Sequence, residues 1–240
     1  MMHKMPSTRR LIYAALIVVL LAFLPLLIQK GVANAYHFKT LFYLKLWEGN
    51  QQPSKAQFQQ AKVAAVNAYS LDNSNPHYIL SFAKVLEWGA YHQFYDIDVK
   101  KHSQLYMTAI KLRPLWPNAY ADYGASLAFL NSDLDTAWPL LEKGLRYGPY
   151  TPEVLRQVLA VGFFFWPQLS VEQKKLVLET SLVAVESQWS MKLELQQLTR
   201  NYQRTSVVCS YMKYTAIEIS EAGQQWVSES LCHHFYKRFG

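Results

Sequence analysis

Residues 117 to 149 read PNAYADYGASLAFLNSDLDTAWPLLEKGLRYGP, and the fold class follows from them. Apolar residues recur every three or four positions on both sides of Asn131-Ser132-Asp133, the pattern of two amphipathic helices joined by a short polar turn. Pro117 stands where a first helical position tolerates proline, and Asp133 where a helix start favours an anion. Gly124 in the first helix and Ala137 in the second are small enough to let two backbones approach closely. Tyr120, Tyr123, Leu127 and Leu141 supply the bulk that wedges between them.

Working outward, the same joint recurs. Ala68-x-x-Leu71 with Pro76, Ala109-x-x-Leu112 with Pro117, and Gly144-x-x-Tyr147 with Pro152 fall into register at shifts of 41 and then 35 residues, which marks an internal repeat. The longer first interval is accounted for by YHQFYDIDV, Tyr91 to Val99, read as an insertion between helices. Ala61, Ala65 and Ala68 form the small-residue stripe of the preceding helix, and Ile79, Phe82, Ala83 and Leu86 take the places of Tyr120, Tyr123, Gly124 and Leu127. The pattern predicts helices over 36–49, 54–71, 77–92, 99–112, 118–131, 134–147, 152–165, 170–187 and 189–202. No Asn-Gly or Asp-Gly hairpin signal occurs, so the body reads as all-α.

The unit Tyr120-x2-Tyr123-Gly124-x2-Leu127, Ala137-x3-Leu141, Pro149 resembles the tetratricopeptide pattern. This resemblance implies an α-solenoid over 31–202, preceded by a tail and anchor over 1–30 and followed by a C-terminal region over 203–240. In that fold the first helix of each pair faces inward, which makes His77, Lys84, Glu87, Trp88, Asn118, Glu153 and Arg156 candidate partner-binding residues.

The strongest single signal is LIYAALIVVLLAFLPLLI, Leu11 to Ile28: 18 residues without a charge or amide, enough as a helix to cross most of a bilayer core. Its rival reading is a signal peptide cleaved after Ala33-Asn34-Ala35. The apolar core exceeds the roughly 7 to 15 residues usual for such peptides, and Lys30 intervenes before the site, which favours a retained anchor. Lys4, Arg9 and Arg10 load the short tail with positive charge and direct the body to the far side of the membrane. Lys30, Lys39 and Lys45 temper that bias.

Of the chain, 51% is hydrophobic, 17% charged and 15% aromatic, which excludes collagen and disorder. The net charge is +7, but Lys4, Arg9, Arg10 and Lys30 occur in a segment without acids, leaving +3 beyond residue 30. Basic runs there are only pairs such as Lys100-Lys101, too short for a nucleic-acid-binding face. The two cysteines, Cys209 and Cys232, both lie near the C-terminus, and in an exported chain they are expected to form a disulfide closing a 23-residue separation.

Motif chemistry is sparse. The sequence lacks G-x-S-x-G, H-E-x-x-H, a P-loop and C-x-x-C, and neither cofactor nor metal is expected. His92, Asp96, Asp98 and His102 read as a solvated loop and its flank rather than a zinc site. His233-His234 diverge by about 100° on a helix and do not share a metal easily. The pairs Asp96/Asp98 and Asp133/Asp135 read as helix starts rather than as glycosidase carboxylates. Aromatic richness leaves room for a sugar-stacking platform, although most of these rings are expected to fill helix interfaces.

The layout also resembles a family. An N-terminal anchor, Lys45-Leu46-Trp47-x-Gly49-Asn50, Arg113-Pro114-x-Trp116-Pro117-Asn118 and a two-cysteine tail look like the VpsP-type polysaccharide biosynthesis proteins found with bacterial exopolysaccharide and biofilm clusters. The resemblance implies a non-enzymatic accessory protein of the inner membrane, its body in the periplasm, binding proteins of a polysaccharide synthesis or export apparatus. The alternative is an envelope protein that binds or modifies the polysaccharide itself.

The anchor reading is testable directly. A reporter fused after residue 240 is expected to be active only on the exported side, with the protein retained by membranes through an alkaline wash. Release of a chain beginning at Tyr36 would establish cleavage instead.

Overall fold

The computed structural model describes residues 7–49 and 51–239. Lys4 and Asn50 lie outside the described residues, as do the side chains of Arg9 and Arg10. The described chain is all-helical: α1 Ser7–Glu48, α2 Lys55–Leu71, α3 Pro76–Tyr91, α4 Val99–Leu112, α5 Pro117–Asn131, α6 Leu134–Tyr147, α7 Pro152–Phe164, α8 Val171–Glu186, α9 Trp189–Asn201, α10 Thr205–Tyr214, α11 Glu221–Trp226 and α12 His233–Phe239. A 3-10 turn, Trp166–Gln168, and a π-helical turn, Val227–Leu231, complete the set. From α2 to α9 the ends fall within one residue of the sequence expectation, because the local chemistry marks them. Ser54 and Ser170 form capping boxes with Gln57 and Gln173. Asn75 caps α3 with Pro76 just inside it, and Ser132 turns the chain between α5 and α6 at φ 54°.

The largest departure from the sequence reading is α1. Instead of an anchor followed by a separate helix from 36, a single helix of 42 residues runs through both, about 63 Å at 1.5 Å per residue. Pro25 lies inside it. The half around Leu11–Ile28 is exposed throughout, with a mean hydropathy of 3.0 over its most apolar window, so α1 is long and apolar enough to cross a membrane. The other half carries a buried stripe of Ala33, His37, Thr40, Leu44 and Trp47. These residues recur at four, three, four and three, and that stripe keeps the chain helical across 29–35, where no proline interrupts it.

Contacts divide the chain into two compact units, Met1–Leu112 and Arg113–Gly240. The divisions expected at 30/31 and 202/203 do not coincide with this one, since α1 passes through the first and the tail packs into the core of the second unit.

In the first unit α2 runs antiparallel to α1. Lys30 Nζ meets Asp72 Oδ2 at 2.8 Å at one end, and the Tyr43 hydroxyl donates to Gln60 midway. Trp47 and Phe58 share the core at the other end. Helix α3 lies parallel to α1. The His37 and Tyr78 rings are 4.7 Å apart and the Trp47 and Trp88 rings 5.7 Å apart, both pairs 41 residues apart in sequence. Helix α4 packs on α3 and buries His102, Tyr106 and Ala109.

In the second unit α6 returns antiparallel along α5 at close range. A Cβ on Gly124 would lie 2.9 Å from the Ala137 carbonyl oxygen, and one on Gly144 would lie 3.2 Å from the Ala121 Cβ. Helix α7 packs on α5 and on α8, and α9 on α7 and α8. Gln157 on α7 donates to Asp122 Oδ1 on α5 at 3.0 Å, a separation of 35 residues. One core runs from Ala121 to Cys232 and includes Val208, Trp226 and Leu231 of the tail.

The close α5/α6 joint makes a contrast. Gly124→Leu is expected to cost about 1 to 3 kcal/mol by overpacking against backbone that cannot yield, read as a melting temperature lower by several degrees. Gly31→Ala, where an added Cβ meets nothing within 4 Å, is expected to be neutral or slightly stabilising through helix propensity. Equal effects from the two substitutions would contradict the joint.

Candidate functional site

The seven candidate binding residues occupy three helices. His77, Lys84, Glu87 and Trp88 lie on α3 in the first unit, and Asn118, Glu153 and Arg156 on α5 and α7 in the second. Their side chains are differently committed. His77 is exposed, while Lys84, Asn118 and Glu153 are half-buried. Glu87 turns toward α4, where its carboxylate accepts from the Tyr106 hydroxyl and lies 3.3 Å from His102 Nε2. Trp88 packs on Trp47 and stacks on His92 with ring planes 6° apart. Arg156 Nε lies 2.6 Å from Glu194 Oε1 on α9. Glu87, Trp88 and Arg156 therefore hold neighbouring helices together, a duty the spacing alone does not reveal.

The polar residues set aside in the sequence resolve individually. Asp98 caps α4 by accepting from the Lys101 backbone N–H at 3.1 Å, and Asp133 caps α6 by accepting from Thr136 N–H at 3.0 Å. Backbone hydrogen bonding from Lys101, the largest effect, together with the Lys101 side chain, holds the Asp98 carboxyl below its ordinary value against the opposing effect of desolvation. His102 is a correction: it is buried in the α3/α4 seam rather than solvated, with Nε2 3.3 Å from the Ala83 carbonyl. The His233 and His234 rings meet edge to face. Among the described residues no group of three or more His, Cys, Asp or Glu is placed to hold a metal ion.

Sequence reasoning missed His37. It sits buried between α1 and α3, with Nδ1 lacking a hydrogen-bond partner among the described residues. Its neighbour Tyr78 has its hydroxyl 3.5 Å from Asn34 Oδ1. Desolvation, with a smaller push from the His77 charge, lowers its pKa to about 4. The available signal was its place in the Ala33-His37-Thr40-Leu44 stripe, visible only once 29–35 is known to be helical.

In the second unit a groove of about 600 Å³ opens between the start of α7, the end of α8 and the extended segment before α11. Tyr150, Leu182 and Ile217 make it mainly apolar, and Gln188 and Glu218 add polar groups at its edge. Glu186, also at the groove, accepts from the backbone N–H and the hydroxyl of Ser220 at 2.9 and 3.1 Å and so ties the extended segment down. Cys209 and Cys232 form a disulfide with Cα atoms 5.6 Å apart, and both are fully buried. By loop-closure entropy a bridge over 23 residues contributes about 3 kcal/mol. Gln196 Nε2, donating to the Ser230 carbonyl at 3.0 Å, and Arg204 Nε, donating to the Phe163 carbonyl at 3.3 Å, fasten the same region.

Comparison with known proteins adds no relative: no family signature matches the chain, and no curated protein is similar to it.

His37 generates a pH prediction. Its folded pKa of about 4 lies below the ordinary 6.5, so between those values the unfolded chain takes up a proton that the folded chain refuses. Stability is full above pH 6.5 and falls as the pH drops toward 4, by about 3 kcal/mol in total. His37→Leu is expected to flatten that segment of the melting-temperature profile of the full chain in detergent. An unchanged slope would mean that His37 is not held neutral.

Proposed function

We propose that this protein is a single-pass, membrane-anchored helical-repeat scaffold that serves exopolysaccharide synthesis or export by binding other proteins, its body in the periplasm. The observation that carries the reading is the agreement between sequence period and lateral contact. The 35-residue joint shift relates α5 to α7, and Asp122 meets Gln157 at that separation; α1 and α3 meet at a constant separation of 41 residues, His37 to Tyr78 and Trp47 to Trp88, whereas the 41-residue joint shift relates α3 to α5. A stack of equivalent helix pairs requires position i to meet its own counterpart in the next pair, whereas an ordinary bundle has no such requirement. This supports a tetratricopeptide-like arrangement within each unit, with α1 as the first helix of the first pair. Such stacks expose a row of first helices suited to peptide or protein segments.

The anchor half of the reading draws on the exposed apolar half of α1. The polysaccharide context draws on the resemblance to VpsP-type proteins. A second reading, a glycan-binding or glycan-modifying envelope protein, draws on the groove beside Tyr150, where an aromatic ring, an amide and a carboxylate converge.

Affinity capture from detergent-solubilised membranes tests the proposal. The full chain is expected to recover proteins of a polysaccharide synthesis or export apparatus. Lys84→Glu and, separately, Glu153→Lys are each expected to lower recovery severalfold while helical content is retained. Undiminished recovery would move the binding site off the first-helix row, and saturable binding or cleavage of purified polymer by the chain alone would favour the second reading.

A further inference from the structure

We infer that the turn between α2 and α3, Asp72 to Asn75, lies in the phospholipid headgroup layer, so that the first unit stands directly on the membrane surface with no tether. The inference rests on the reading of Leu11–Ile28 as a membrane span and adds where the body meets the lipid.

Two lengths fix the position. Arg10 and Lys30 bracket the uncharged stretch 11–29, in which Gln29 is the only amide, and as a continuous helix they are 20 residues, or about 30 Å, apart, which equals the thickness of a bilayer hydrocarbon core. Lys30 therefore marks the lipid–water border. Long basic side chains at that depth reach outward to the headgroups.

The same two residues at the end of the span hold the turn. Gln29 Nε2 donates to the Leu71 carbonyl at 2.7 Å, and Lys30 Nζ meets Asp72 Oδ2 at 2.8 Å. Ser74 donates to the other Asp72 oxygen at 2.7 Å. Residue 29 is only one step beyond the apolar stretch, so the turn cannot stand away from the border while these contacts exist and α1 remains helical.

The chemistry of the turn suits the place. The last carbonyls of α2 would otherwise face a poorly hydrated layer unpaired, and Gln29 satisfies one of them. The carboxylate of Asp72, which would be repelled by anionic headgroups, is neutralised by Lys30. What remains exposed at the tip is Asn73 and Ser74, and the Asn73 amide is able to donate to phosphate and glycerol oxygens. Helix α2 leads into the turn over 17 residues, about 25 Å, so Gln52, just before its start, marks a point well clear of the surface.

The experiment uses the full-length protein in vesicles of phosphatidylethanolamine and phosphatidylglycerol doped with a headgroup spin-labelled lipid. A fluorophore is attached at Asn73→Cys or at Gln52→Cys, the native cysteines being held as a disulfide. The label at 73 is expected to be quenched at least threefold more strongly than the label at 52. Equal quenching at both positions, or none at 73, would overturn the inference. An alkaline wash of the same vesicles separates the causes: protein that stays bound with 73 unquenched places the turn elsewhere, whereas protein that washes off removes the span and the inference together.

Discussion

One uninterrupted helix carries two different surfaces, and the first unit is arranged around that requirement. The outer half of α1 exposes Leu11 to Ile28 on all sides and is long and apolar enough to cross a membrane. A few residues later the same helix presents Ala33, His37, Thr40, Leu44 and Trp47 to α2 and α3 and polar groups to water. The change of environment is confined to Gln29 and Lys30, and both are tied to the end of α2. A tether at this point would let the body swing. A continuous helix with two side-chain clamps does not, so the first unit keeps one orientation relative to the apolar half of α1.

A second constraint is the close approach of neighbouring helices. Gly124 against Ala137, Gly144 against Ala121, Gly162 against Val177 and Gly89 against Phe58 all leave no room for a Cβ without adjustment. Small residues at these positions bring helices near enough for large rings to fill the flanks, and this is where much of the aromatic content goes. Phe58, Tyr106 and Phe163 are almost completely buried. Rings such as Tyr91, Tyr150, Trp189 and Tyr214 remain at the surface and are the ones available to a ligand. Polar residues of the first helices likewise divide between structural duty, as for Glu87 and Arg156, and exposure, as for His77.

The parts of this architecture that depend on neighbouring residues were legible in the sequence. Helix ends from α2 to α9 are written in Ser54, Asn75, Asp133 and Ser170 and in the prolines that follow each joint. What escaped depends on distant partners. The stretch 29–35 looks like a linker, with Lys30, Gly31 and Asn34, until α2 and α3 supply the surfaces that keep it helical. The tail beyond 202 has no strong period because α10, α11 and α12 are short and are held by a disulfide, by Arg204 and by Gln196 rather than by an apolar stripe of their own. His102 looks solvated in the sequence and becomes buried, against a partly exposed Glu87, only when α3 and α4 meet.

The account stands or falls on the continuity of α1 across the border. Labels attached to Leu20→Cys and Phe38→Cys, both exposed on α1, are 18 residues apart and should be separated by about 27 Å along an unbroken helix. Pulsed dipolar spectroscopy on the full chain in lipid vesicles is predicted to give one narrow distance distribution near that value, broadened only by the labels themselves. A broad or distinctly shorter distribution would mean that the helix breaks between anchor and body, and would contradict the account.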